Sequence, residues 1–334
     1  MTPALAAPVF LVSIGVMLLA SAQFARRLDH IGLRLGLPET LLGLLTALAA
    51  DAPEISSAIS ALVQNQHAVA VGVVVGSNAF NIAAMLGLSA VVAARVRARH
   101  EALELEAFVG LWLIAIALAV VAGGLGATTG TALVAIVVVP YVALLAAGPR
   151  IARRLPLSAS ESRFVRRSFG ESHRRERSLD SRHELVRILL VLGAALVLIV
   201  AGSVAAVRAA TDLADAWSVP PALVGVIVLA ILTSLPNAWT GVRFGLQQRG
   251  SALMSETLNS NSINIVAGLV LPAALGTFDG FSRLAVFDLA WLFVMTAAAL
   301  ALFGRRDGAG RSAGSLLIAL YGIFLVVQIA AQSQ

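Results

Sequence analysis

Asp51 and Glu54 stand three residues apart in the otherwise apolar stretch TALAADAPEISSAIS. That spacing puts both carboxylates on one face of a helix. A carboxylate in a membrane segment is costly and marks an ion or proton path. Pro53, between them, removes a backbone N–H and frees the carbonyl of Ala49. Pro236 does the same for Leu232 in LAILTSLPNAWTG, where Thr233, Ser234 and Asn237 flank it. In lipid such carbonyls must face protein, water or an ion. The segments that follow carry Ser77 and Asn81, and Ser260 and Asn264, each pair four residues apart. Carboxylates, hydroxyls, amide oxygens and carbonyls are donors for hard cations such as Na⁺ and Ca²⁺. The chain has no Cys and the cluster no His, so neither a disulfide nor a soft-metal site is expected. No Ser–His or Ser–Lys pairing accompanies the cluster, and enzymatic chemistry is not expected.

The elements that hold these residues follow from composition. Of 334 residues, 59% are hydrophobic and 13% charged, with a mean hydropathy of +0.90. This composition expects the bilayer as solvent. Apolar runs of about 20 residues lie near 4–23, 40–64, 68–93, 107–126, 129–148, 186–209, 220–245, 252–274, 282–303 and 312–331. Ten transmembrane helices are therefore expected, in an all-α integral membrane protein. All 24 basic residues are Arg. With ten spans, 22 of them fall on one side, leaving Arg208 and Arg283 opposite. The positive-inside rule then predicts N-out/C-out topology in the cell (inner) membrane, with the long central loop in the cytoplasm. The first run has no basic n-region and precedes Arg26-Arg27, so it reads as an anchor rather than a cleaved signal. The net charge of +6 is thereby assigned to topology, and no nucleic-acid or obligate protein partner is expected. The expected partners are the bilayer and the hard cations that the polar cluster can hold.

The chain also repeats itself. A shift of 183 residues brings Pro38 onto Pro221, Pro53 onto Pro236, Ser77-Asn78 onto Ser260-Asn261, and Asn81-Ile82 onto Asn264-Ile265. Residues 1–148 read as a first five-helix repeat with its motif at about 37–90. Residues 186–334 read as a second, with its motif at about 220–273, and the polar, Arg- and Ser-rich segment 149–185 as a cytoplasmic linker. Five spans per half is odd, so the repeats are expected to be inverted. Broken polar helices at matching places in an inverted repeat point to a transporter with its site near the midplane.

These residues resemble the cation/Ca²⁺ antiporter superfamily, which includes the Na⁺/Ca²⁺ exchangers. Each of its alpha-repeats carries a G-T-S-x-P-E-like helix followed by a G-S-N-x-x-N-I-like helix. Here they read Ala50-Asp51-Ala52-Pro53-Glu54 and Gly76-Ser77-Asn78-Ala79-Phe80-Asn81-Ile82, then Thr233-Ser234-Leu235-Pro236-Asn237 and Asn259-Ser260-Asn261-Ser262-Ile263-Asn264-Ile265. The resemblance implies alternating access, with two gating helices sliding against an eight-helix core. It carries ion-ligand roles onto Glu54, Ser77, Asn81, Thr233, Ser234, Asn237, Ser260 and Asn264, with Asp51 in place of a family Ser or Thr. It implies no cofactor, and transport of Ca²⁺, Na⁺ or H⁺. Ala50, Asn259, Asn237 and Asn264 depart from the family pattern, the last two replacing acidic residues. The close pair Asp51 and Glu54 is expected to share a proton, leaving a singly negative site at rest. The reading is thus a secondary antiporter exchanging Ca²⁺ or another hard cation for Na⁺ or H⁺. Its alternatives are a Na⁺/H⁺ exchanger that has lost Ca²⁺ transport, and a non-transporting homologue. Glu256 falls on the stripe of Ser260 and Asn264, as an interfacial charge or a mouth residue. Asp288 is read as packing against another polar group.

Overall fold

The computed structural model describes residues 1–34, 39–98, 100–147, 182–276, 282–305 and 307–332. The expected linker 149–185 lies almost entirely outside them. The described chain is nearly all helical: α1 (Pro3–Arg34), α2 (Glu39–Ala50), α3 (Ala52–Val63), α4 (His67–Val92), α5 (His100–Val121), α6 (Ala127–Ala147), α7 (Arg182–Ala216), α8 (Pro221–Leu246), α9 (250–274), α10 (Arg283–Phe303) and α11 (Arg311–Gln332). One short antiparallel pairing, Arg95–Val96 with Ala309–Gly310, ties the turn before α5 to the turn before α11.

Among the described residues, eight helices are long and apolar enough to cross a membrane. The expected second and eighth spans take other forms, and for a physical reason. Pro53 sits in the first turn of α3 and cannot donate to Ala49, so the span divides at Asp51 into α2 and α3. Helix α9 is long, but its first sixteen residues, Gly250–Ile265, carry four Ser, three Asn, a Thr and a Glu, and it lacks the apolar content of the others. The two segments that carry the polar motifs are thus the two that least resemble lipid-filling helices.

Helices α1 and α7 pack against each other along their length. Helix α4 lies at the centre, with 94% of its apolar window enclosed by protein, against α3, α8 and α9. Small residues let α4 and α8 meet backbone to backbone. A Cβ on Gly76 would fall 2.7 Å from the carbonyl oxygen of Val226, and one on Gly225 would strike the carbonyl oxygen of Val69. Gly76→Leu is accordingly expected to destabilise the bundle by about 1–3 kcal/mol, the range for overpacked cores. Thermal unfolding in detergent would register this as a lowered Tm, and Gly15→Leu, where nothing lies within 4 Å, is the comparison that should leave Tm near its parent value.

Wide π-helical turns follow the Asn of each S-N-x-x-N motif, at Ile82–Leu88 and Val266–Val270. Such turns often accompany functional sites. A third, Val224–Leu229, opens α8 before Thr233.

Candidate functional site

Four elements converge at the break between α2 and α3. Asp51 closes that break and Glu54 lies in the first turn of α3, while Asn81 comes from α4, Ser234 and Asn237 from α8, and Ser260 from α9. All nine residues expected as ligands are buried, with 0–4% exposure. Asp51 Oδ1 accepts from Ser260 Oγ (2.7 Å) and Asn237 Nδ2 (2.8 Å). Glu54 Oε1 accepts from Ser234 Oγ (2.9 Å) and, at 3.4 Å, from the same Asn237 amide. Asn81 Nδ2 reaches Ser260 Oγ and Asn261 Oδ1, both at 3.2 Å. Hydrogen bonds to ionised acceptors are the strong ones, and here they fix one oxygen of each carboxylate.

The remaining expected residues are arranged differently. Asn264 joins the cluster through Asn78, donating to its Oδ1 at 3.2 Å. Ser77 and Thr233 spend their hydroxyl protons on their own helices, at Val74 and Leu229. The carbonyl of Ala49, expected to face an ion, instead accepts from Ser21 Oγ of α1 (2.9 Å). The proline-freed group is thereby satisfied by a neighbouring helix, one of the outcomes lipid permits. Glu256, partly buried, lies within electrostatic reach of Asp51. Asp288 accepts from Gln328 of α11, away from the cluster.

Four buried oxygens of the cluster have no hydrogen-bond donor: Asp51 Oδ2, Glu54 Oε2, Asn81 Oδ1 and Asn264 Oδ1. Leaving a buried acceptor unmade is costly. Acceptor oxygens with two carboxylates among them are what a hard cation takes. Among the described residues no group of three or more His, Cys, Asp or Glu could hold a metal, so carboxylate ligands at this site are confined to the Asp51–Glu54 pair.

Asn78 and Asn261 were quoted within the motifs but not assigned a role by sequence, and the structure gives them one. Asn78 Nδ2 donates to the carbonyl of Asn261 (3.0 Å), and Asn261 Nδ2 to the carbonyl of Asn78 (3.1 Å). The two residues are 183 apart, as are Asn81 and Asn264, whose amides donate to Asn261 Oδ1 and Asn78 Oδ1. The duplicated S-N-x-x-N was the available signal, since each copy carries an amide that can donate to the other. Asn78→Ala and Asn261→Ala are each expected to lower stability by about 1 kcal/mol, interhelical polar contacts in membranes averaging ~0.6 with a maximum near 1.7. The double variant should cost close to the sum of the singles in a double-mutant cycle of unfolding free energies, because each change removes its own amide donor and leaves the backbone carbonyl that the other amide uses.

Buried carboxylates between broken helices, within a bundle of long apolar helices, define a multi-pass membrane protein with an enclosed polar site. The sodium/calcium exchanger protein family model matches residues 5–146 and 187–330, and the chain belongs to that family. It is similar to the inner membrane protein YrbG of Escherichia coli (strain K12), 26% identical over 296 residues covering 87% of each chain. Among solved structures it resembles the sodium-calcium exchanger NCX_Mj, with a TM-score of 0.60, 21% identity, and coverage of 97% of this chain and 99% of that one. It also resembles the H⁺/Ca²⁺ exchanger CAX, with a TM-score of 0.73, 14% identity, and coverage of 96% and 82%. At these identities the structural likeness speaks for the fold. The family and its structural neighbours are transporters, not enzymes.

Proposed function

We propose that the chain is a secondary antiporter that binds a hard cation, most plainly Ca²⁺, at the Asp51–Glu54 cluster and exchanges it for Na⁺ or H⁺ by alternating access. The observation that carries this reading is the set of four donor-less buried oxygens, two of them carboxylate, where four helices meet. Glu54 and Asp51 supply the charge. Asn81 and Asn264 supply amide oxygens, and Ser77, Ser234 and Ser260 supply hydroxyl oxygens. Thr233 contributes the oxygen left after its bond to Leu229. A proton on either carboxylate removes one charge from the site, so protons and cations compete for it.

The topology proposed with this function has ten spans in two inverted five-helix repeats, N-out/C-out in the inner membrane, with 149–185 as a cytoplasmic linker. The reciprocal bonds between residues 183 apart support it. Helices α1 and α7 are the sliding pair, on the strength of their mutual packing.

A second reading, Na⁺/H⁺ exchange alone, is favoured by one observation. Asn237 turns its amide nitrogen, not its oxygen, to both carboxylates, so the second repeat adds a donor where an exchanger of divalent ions would add an anion. Tracer uptake into proteoliposomes decides between them. Radiolabelled Ca²⁺ uptake driven by an outward Na⁺ or H⁺ gradient supports the first reading. Na⁺ uptake driven by protons and indifferent to Ca²⁺ supports the second, and the absence of gradient-driven uptake of either ion overturns both.

A further inference from the structure

A further carboxylate, half-buried and outside the cluster just described, is gathered with polar partners from two further helices. Glu106 lies near the start of α5. Ser255 Oγ of α9 donates to Glu106 Oε1 (2.6 Å), Asn259 Nδ2 of α9 donates to Ser255 Oγ (3.3 Å), and the Tyr141 hydroxyl of α6 donates to Asn259 Oδ1 (2.7 Å). Every donor in this chain points toward the carboxylate. Hydrogen bonds aligned in one direction polarise one another, and here they stabilise negative charge at Glu106. Its second oxygen, Oε2, is shielded from solvent and has no donor.

Among the described residues that charge makes no ion pair. The chain contains no Lys, and the one ion pair among the described residues lies elsewhere, between the N-terminus and Asp212. Tyr141 is the titratable group facing Glu106 from α6, and α9 brings only neutral Ser255 and Asn259. From α10, Leu300 and Phe303 line a cavity of about 180 Å³ beside Glu104 and Ala107 and bring no charge. Glu104, on the same helix, is exposed. An anion placed this way is neutralised by a mobile cation. One carboxylate among neutral oxygens matches a single positive charge, since ligand charge count sets preference for divalent ions.

Asn259 gives this arrangement a further basis. It departs from the family motif, and the residue 183 positions earlier is Gly76, where a side chain would strike α8. At 259 a side chain is accommodated, and it completes the polar chain to Glu106. Asn259 and Ser260 are adjacent in α9 and so point roughly 100° apart, which sets the Glu106 group off from the Asp51–Glu54 cluster. Glu106 bonds to none of the nine residues of that cluster.

We infer that Glu106, with Ser255, Asn259 and Tyr141, is a second cation site between α5, α6 and α9 that holds one monovalent cation, Na⁺ or a proton. The inference does not depend on exchange at the first site, and its test silences that site. The full chain carrying Asp51→Asn and Glu54→Gln, in lipid nanodiscs, is titrated with radiolabelled Na⁺ at alkaline pH. Saturable binding of one Na⁺ per chain, lost on adding Glu106→Gln, identifies Na⁺ as the occupant. If no Na⁺ binds, infrared difference spectra between alkaline and acid pH should show a carboxyl C=O band that Glu106→Gln removes, identifying the occupant as a proton. Asn259→Gly, which keeps the carboxylate but breaks the chain of donors, should shift whichever affinity is found by on the order of tenfold, as expected for losing a hydrogen bond near a charged group; it also serves if Glu106→Gln does not fold. Na⁺ binding and infrared spectra that are the same with and without these substitutions would overturn the inference.

Discussion

Glu54→Gln is expected to abolish gradient-driven cation uptake while leaving the protein folded. Glu54 is 1% exposed, and its Oε1 is held by Ser234 and Asn237 while Oε2 has no donor. Gln has nearly the same shape and keeps an oxygen for Ser234, so packing changes little. What disappears is half of the fixed negative charge. Truncating one partner of a buried charge pair costs about 2–5 kcal/mol, which corresponds to roughly 30-fold or more in cation affinity. In the absence of cation the sign for stability is opposite. The resting pair escapes like-charge repulsion by sharing a proton, and Glu54→Gln keeps a neutral group in that place without needing the proton, so the variant's Tm should equal or exceed that of the parent. Uptake and thermal unfolding measured on one preparation separate these effects. Uptake at the parent rate would place the transported ion elsewhere.

Asn237→Glu is expected to act the other way on divalent cations. The Asn237 amide now lies against both carboxylates, at 2.8 and 3.4 Å, and does locally what a cation would do. A carboxylate there replaces two attractions with two repulsions among groups that are all buried. Without cation the variant should therefore unfold at a lower temperature than the parent. With Ca²⁺ present the third carboxylate becomes a ligand, and added ligand charge tightens Ca²⁺ sites by an order of magnitude or more. The expected result is a Tm that rises steeply with Ca²⁺, through preferential binding to the folded state, together with at least a ~10-fold lower apparent Kd. A Ca²⁺ affinity equal to the parent's would mean that residue 237 does not face the ion.

Much of this site is legible in the sequence because lipid enforces it. Asp51, Glu54 and the two S-N-x-x-N motifs stand out against apolar surroundings that would not otherwise tolerate them, and the 183-residue shift pairs them. The long apolar helices are legible for the same reason. What sequence does not carry is direction and distance. Asn237 reads equally well as an oxygen ligand or an amide donor, and only its placement against Asp51 and Glu54 decides for the donor. The carbonyl freed by Pro53 could have faced an ion, yet Ser21, 28 residues earlier, reaches it. Likewise Ser203 of α7 bridges Ser56 and Ser60 of α3 (2.6 and 2.9 Å), a contact across more than 140 residues that no spacing rule anticipates. Glu106 escaped notice because it opens a helix beside other glutamates in HEALELEAF, where an interfacial charge is the ordinary reading. Its partners come from α6 and α9, and helix packing alone brings them to it.

The central claim is that the exchanged cation sits at the free oxygens of Asp51 and Glu54. Anomalous diffraction from crystals soaked in Sr²⁺, and separately in Tl⁺ as a monovalent stand-in, tests it most directly. In at least one soak a peak is expected within ligand distance of Glu54 Oε2 and Asp51 Oδ2, about 2.3–2.6 Å for a Ca²⁺-like ion and somewhat longer for a larger one, and no such peak in Glu54→Gln. Neither ion appearing there, or a peak that survives the substitution unchanged, would contradict it.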